Sequence, residues 1–145
     1  MRGSMVENIA LMAHKEGTCN STPLATGWVD TAQLGICMAV LMMDNMANET
    51  IDFKVQQSAA ANGSSPKDLK AATQLAASAT ANDYGAVKIT FRPEELDVSN
   101  GFRYVNATAV TGNTVGGTAA VSILATARYS AVSSVEPVTV LQTKL

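Results

Sequence analysis

Residues 50–58 read TIDFKVQQS, and this stretch decides the fold class of the chain. Ile51, Phe53 and Val55 occupy alternate positions, and polar side chains stand between them. A period of two places the apolar side chains on one face of an extended strand and the polar side chains on the other. The stretch therefore predicts a half-buried β-strand rather than a helix.

The same alternation returns further along the chain. Val87, Ile89 and Phe91 alternate with polar residues, and Pro93 ends that strand. Residues 102–111, FRYVNATAVT, and residues 118–129, TAAVSILATARY, flank the turn sequence GNTVGG. Because glycine adopts the positive φ angles of tight turns, these two strands are predicted to form a β-hairpin.

One further strand is apolar on both faces. Residues 34–43 read LGICMAVLMM, with Leu34, Ile36, Met38, Val40 and Met42 on one face and Cys37, Ala39, Leu41 and Met43 on the other. A sandwich strand has one face for the core and one for water, so something must cover the second face. Two coverings are open, namely an N-terminal arm of the chain itself or a neighbouring subunit.

The remaining segments complete the predicted architecture. Residues 1–27 contain the turn-rich sequence KEGTCNSTPLATG and are interpreted as an extended N-terminal arm. Ser65, Pro66 and Asp68 suit the start of a helix, which predicts one short helix at about 66–72. We expect a mainly β chain, an antiparallel β-sandwich of which the jelly roll is one form, over residues 28–145, with a C-terminal tail from about residue 131.

Composition indicates what kind of surface and core this chain has. Alanine accounts for 23 of the 145 residues, so the core is predicted to be thin and to be completed by contacts with other chains. Ten basic residues, scattered singly, oppose twelve acidic ones, a net charge of −2. A nucleic-acid or anionic membrane surface needs clustered cations, so neither partner is expected.

The residue types that carry catalysis are sparse. The only histidine, His14, falls in the predicted arm. Cys19 and Cys37 have no further ligands at zinc spacing and are predicted to be two free, mostly buried thiols. GNTVGG lacks the lysine and hydroxyl residue of a phosphate loop. The sequence predicts no catalytic residue, no cofactor and no metal site, and therefore a protein that is not an enzyme.

The order of these features resembles a known group of proteins. The matching pieces are LGICMAVLMM, ANETIDFKVQQSAAANG, VKITFRPEELDVSNGFRYVNATAVTG and GGTAAVSILATARYS, which together span about residues 28–130. The resemblance is strongest around GFRYVNATAVTG. In this order the chain is similar to the small β-sandwich or jelly-roll head decoration (cement) proteins of tailed bacteriophages.

That resemblance implies a function, partners and a location. The chain is expected to be a structural virion protein, made in the host cytoplasm, that stabilises the outer surface of an assembled capsid. Its expected partners are itself, as a homotrimer, and the major capsid protein; the alternative is a phage tail or baseplate adaptor or another virion interaction module. The candidate interface residues are Cys37, Ala39, Leu41, Met43, Leu11, Leu24, Val138 and Leu141.

Overall fold

The alternating stretches form β-strands in the structure, a computed structural model that describes residues 9–44, 46, 49–76, 85–112 and 116–128. No α-helix occurs in these ranges, and the helical content is two 3-10 turns, Pro93–Glu95 and Val98–Asn100. The strands are β1 Ile9–Cys19, β2 Leu24–Ala25, β3 Val29–Asp30, β4 Leu34–Met43, β5 Ile51–Ser58, β6 Lys67–Ala71, β7 Ala86–Phe91, β8 Tyr104–Thr111 and β9 Gly117–Ala127.

Two antiparallel sheets pack face to face as a sandwich. The first sheet has the strand order β1-β9-β4-β7, and the second has the order β2-β8-β5-β6, with β3 also paired to β8. Every pairing is antiparallel. With β2 and β3 taken as one interrupted strand, eight strands are divided equally between the sheets and most connections cross from one sheet to the other. This is the connectivity of a jelly roll.

The core lies between the sheets and mixes small and large side chains. Of its 23 buried apolar residues, five are alanines and twelve are Leu, Ile, Met or Phe, among them Phe91, Leu41 and Ile123, so the core does not rest mainly on alanine. Apolar residues predicted to share a face do so: Ile51, Phe53 and Val55 are 1%, 3% and 0% exposed. Among the described residues, no buried side-chain nitrogen or oxygen lacks a hydrogen-bond partner. The polar side chains buried in this part of the chain are therefore satisfied.

The predicted helix at about 66–72 is wrong. Residues Lys67–Ala71 form β6, which pairs with β5 at the edge of the second sheet. The helix-start residues describe local preference only, and the hydrogen bonds offered by β5 outweigh that preference. Lys70 of β6 also donates to the carbonyl oxygen of Thr90 in β7 at 3.0 Å and pairs with Glu95, so it joins the two sheets along this edge.

The predicted hairpin of β8 and β9 is also wrong. β8 pairs with β2, β3 and β5 in the second sheet, whereas β9 pairs with β1 and β4 in the first. The glycine-rich connection therefore carries the chain from one sheet to the other. Within β9 the buried residues Val121, Ile123 and Ala125 alternate with partly exposed ones, because a period of two is the same whichever sheet a strand joins.

Much of the predicted N-terminal arm belongs to the sandwich. Residues Ile9–Cys19 form an edge strand whose eleven residues lie along β9, and Leu24–Ala25 pair with β8. The turn residues of this region, which suggested an arm, include Gly17 within the strand and residues 20–23 between β1 and β2. Residues 1–8 and the predicted tail from about residue 131 lie outside the described residues.

Candidate functional site

The inward face of β4 is part of the core and not a surface. Cys37, Ala39 and Leu41 are 0% exposed and Met43 is 7% exposed, so these four candidate interface residues are instead core residues. Leu24, a fifth candidate, is also buried. The sequence could not distinguish the two faces of β4 because both are apolar. Two further candidates, Val138 and Leu141, lie outside the described residues.

The outward face of β4 is the exposed one. Met42 is 60% and Ile36 is 43% exposed, and Met38 and Val40 are partly exposed. A register shift between Leu34 and Cys37 interrupts the pairing with β9. Because a β-bulge of this kind adds residues to one strand, Leu34 also turns inward, although simple alternation groups it with Ile36.

The exposed apolar surface continues onto the neighbouring strands. Leu11 of β1 lies opposite Leu124 of β9, and Leu124 lies opposite Met38 of β4, so these three side chains form a row across the sheet. Residues directly opposite each other in a sheet point to the same side. We call this surface the apolar face, and its residues are Leu11, Leu124, Ile36, Met38, Val40 and Met42. Leu11 is the one predicted interface residue that belongs to it.

Charged residues stand at opposite edges of the apolar face. Glu16, on edge strand β1, lies opposite Ala120 of β9 and is exposed. Lys88, on the other edge strand β7, lies opposite Val40 and is also exposed. Within the described part of the chain neither side chain forms an ion pair, unlike Lys54, whose Nζ lies 2.9 Å from a carboxylate oxygen of Asp68.

His14 lies on the outer side of the first sheet rather than in an arm. Its Nδ1 is 2.9 Å from the hydroxyl oxygen of Ser122 on β9. A serine nucleophile needs a base held by a third group and donors for an oxyanion. Neither is described here: both side chains lie on an open strand surface, and among the described residues no carboxylate is hydrogen-bonded to His14. The pair is a surface hydrogen bond between two strands.

A shallow groove of about 310 Å³ lies on the outer side of the second sheet. Its lining residues are Pro23, Ala25, Asp52, Lys54, Gln56, Asn106, Thr108 and Val110. The groove contains no histidine, cysteine or aromatic side chain, and its charged groups have protein partners. Lys54 pairs with Asp68 and its hydrogen bond lowers the pKa of that carboxyl, while Gln74 donates to Asp52 at 2.9 Å. These contacts account for the groove's polar groups without a ligand.

Both cysteines are buried thiols, as the sequence predicted. Burial raises the pKa of Cys19 to about 11, and burial followed by the nearby charge of Glu94 raises that of Cys37 to about 12. Their partners on β9, Gly117 and Ala125, are eight positions apart, which corresponds to about 26 Å along a strand. A disulfide needs Cα atoms within about 7 Å, so these two cysteines cannot be joined in this fold.

Neither a metal-holding cluster nor a membrane-spanning helix is found in the described ranges. No group of three or more His, Cys, Asp or Glu side chains in these ranges is arranged to hold a metal ion. In the same ranges no helix has the length and apolar character needed to cross a membrane.

Comparison with known proteins identifies no family for this chain. No protein-family model matches the chain, and no curated protein matches it. Among solved structures, the chain is similar to one from Bacillus endospore appendages, described as a novel family of disulfide-linked pili. The two share 13% identity over 82% of this chain and 88% of that chain, with a TM-score of 0.46. A likeness of this degree supports no conclusion about this chain.

Proposed function

We propose that this chain is a non-enzymatic structural subunit that associates with copies of itself and docks onto an assembled shell, as a head decoration protein of a tailed bacteriophage. The observation that carries the proposal is the apolar face. Met42 and Ile36 are exposed on β4, while among the described residues no buried side-chain nitrogen or oxygen beneath them lacks a hydrogen-bond partner. An apolar surface on a folded sheet is typical of a contact with another protein.

The charges and polar groups of the described residues favour binding over chemistry. Several charged side chains beside the strands form ion pairs, including Arg103 with Asp30 and Arg128 with Glu94. Among the described residues no carboxylate is hydrogen-bonded to His14 of the His14–Ser122 pair, and Lys54 and Asp52 in the groove on the second sheet have protein partners. These observations support a role in binding rather than in catalysis.

The resemblance in the sequence supports the more specific assignment to a phage head. A ligand that binds only the assembled form of a shell stabilises that form by RT ln(1 + L/Kd) for each site, where L is its free concentration. When three copies are linked in a trimer, weak contacts at three points combine into a strong attachment. The proposed site of action is the outer surface of the capsid, and synthesis in the reducing host cytoplasm agrees with two free thiols.

Binding to assembled shells is the direct test. Purified chain would be mixed with expanded phage heads that lack it, and the heads would be pelleted. We expect the chain to sediment with shells and to saturate at a fixed ratio to capsid protein. The soluble capsid protein, mixed at the same concentration, is the control and should retain no chain.

Two results would contradict the proposal. Equal binding to shells and to soluble capsid protein would show that the chain does not recognise the assembled lattice. Binding to neither would favour the alternative of a tail or baseplate adaptor, which is tested by the same sedimentation with purified tails.

A further inference from the structure

We infer that copies of this chain associate through the apolar face of the first sheet, with the Glu16 edge of one copy against the Lys88 edge of the next. This inference rests on the self-association in the proposed function and identifies the surface responsible. The occupant of the face is therefore a second copy of this chain.

The first step of the argument is that the described chain does not cover this face itself. The N-terminal region was one of the two coverings that the sequence left open. Residues Ile9–Cys19 lie beside β9 as an edge strand, in the plane of the sheet rather than above it. Leu24–Ala25 and Val29–Asp30 pair with β8 in the opposite sheet. The described part of the predicted arm thus lies within the two sheets and does not cover the apolar face.

The second step is the size of the outer surface of the first sheet, on which the apolar face lies. β4 and β9 have ten and eleven residues, and the sheet has four strands. At about 3.3 Å per residue and 4.8 Å per strand, this outer surface measures about 33 Å by 19 Å, or roughly 600 Å² on each copy, and it includes the polar pair His14 and Ser122 beside the apolar face. In a trimer three such surfaces bury about 1,800 Å², or about 600 Å² for each pair of copies, so the three contacts stabilise the trimer together.

The third step is charge complementarity between the two edges. Glu16 is acidic and lies on β1, whereas Lys88 is basic and lies on β7 at the other side of the sheet. Lys88 lies directly opposite Val40 of β4. Ala120 of β9 lies opposite both Glu16 and Met42, so Glu16 is at the same height along the strands as Met42. The two charges are therefore one outward-facing position apart along the strands, about 7 Å, which a lysine side chain spans.

The fourth step is the geometry of three sheets around one axis. Three sheets about 19 Å wide, arranged as the sides of a triangle, place each backbone about 5–6 Å from the axis. Stacked sheets are about 10 Å apart, so the side chains of each sheet fill about 5 Å, which matches the distance from each backbone to the axis. Each β1 edge then meets a neighbour's β7 edge at the corner, which brings Glu16 of one copy to Lys88 of the next.

A single substitution at Met42, the most exposed residue of the apolar face, tests the surface. Met42→Glu places a carboxylate where the neighbouring copy would exclude water, and we expect the dissociation constant of the oligomer to rise at least tenfold. Val98→Glu is the matched control, because Val98 is 61% exposed, close to the 60% of Met42, and lies on a 3-10 turn outside the first sheet. Light scattering coupled to size exclusion, over a concentration series, should give about three times 15.1 kDa for wild type and control and 15.1 kDa for Met42→Glu.

A charge exchange tests the arrangement of the edges. Glu16→Lys and Lys88→Glu each place like charges together, so each should weaken association severalfold and more strongly at low salt. The double variant Glu16→Lys/Lys88→Glu restores the pairing between copies and should recover wild-type association. Failure of the double variant to recover would overturn the proposed arrangement of edges.

The outcomes separate this inference from the proposed function. If wild type and Met42→Glu form the same oligomer, self-association stands and the apolar face is not its surface. If wild type remains at 15.1 kDa at every concentration, self-association fails and the inference fails with it. If wild type is monomeric and Val138→Glu makes it associate, the chain's own C-terminal segment is the occupant instead.

Discussion

Replacing Phe91 with alanine should be among the most destabilising single changes in this chain. Phe91 is 0% exposed, lies on β7 and points into the core opposite Cys37 of β4. Truncation to alanine removes roughly 150 Å² of buried apolar surface, which at ~25 cal/mol per Å² amounts to about 4 kcal/mol. With the cavity that the truncation leaves, the expected loss in the free energy of unfolding is about 3–5 kcal/mol. That is a large part of the ~5–15 kcal/mol by which a domain is stable.

The loss can be measured by guanidinium unfolding followed through the fluorescence of Trp28, the single tryptophan. All variants should be compared at one protein concentration, because association stabilises the folded state. Thr73→Ala is the control, since Thr73 is exposed and lies outside the first sheet, and its truncation should cost less than about 0.5 kcal/mol. A loss below about 1 kcal/mol for both Phe91→Ala and Phe53→Ala would refute the assignment of the inward faces.

Three further changes have expected outcomes. Gly63→Ala should destabilise the loop between β5 and β6 and alter Trp28 fluorescence, because Gly63 has a φ of 74° and a Cβ there would lie 1.9 Å from the indole nitrogen of Trp28. An unchanged fluorescence spectrum and an unchanged free energy of unfolding would contradict this packing. Alkylation should label neither Cys19 nor Cys37 in the native protein and both after denaturation without reductant, as mass spectrometry would show; a mass deficit of about 2 Da would reveal a disulfide. Stability should fall as the pH drops below about 4, because hydrogen bonds from Arg103, Lys54, Lys70 and Asn100 lower the pKa values of their carboxyl partners in the folded state. Unfolding curves that are identical at pH 6 and pH 3 would exclude this linkage. Those partners are Asp30, Asp68, Glu95 and Asp97.

The pH dependence has a definite sign. A carboxyl whose pKa is lowered by folding stabilises the folded state above the ordinary pKa, near pH 4. That contribution disappears as the pH falls through the lowered value, because protonation then removes the ion pair or hydrogen bond. The four groups lie at or near the surface, so salt should weaken those contributions that come from ion pairs.

The direction of the side chains within two strands could be predicted from the sequence alone. The alternation in β5 and β7 identified buried residues that include Phe53 and Phe91. A strand with a period of two has one apolar side, and that side must face a core wherever the strand lies. The scattered positions of the cations, and the lack of further ligands at zinc spacing from the two cysteines, could also be seen in the sequence alone.

Tertiary structure decided which strands are neighbours and which face of β4 is covered. β1 and β9 begin more than a hundred residues apart in sequence, and no local pattern records that they pair. β8 and β9 have the pattern of a hairpin but lie in different sheets, and Lys67–Ala71 has helix-start residues but completes an edge. In β4 both faces are apolar, so the choice of Cys37, Ala39 and Leu41 for the core, and of Ile36 and Met42 for the surface, depends on a bulge and on the opposing sheet. Strand pairing and the buried face of β4 depend on packing between distant segments. The hydrophobic effect is not directional, so the arrangement that fills the core most closely is the stable one.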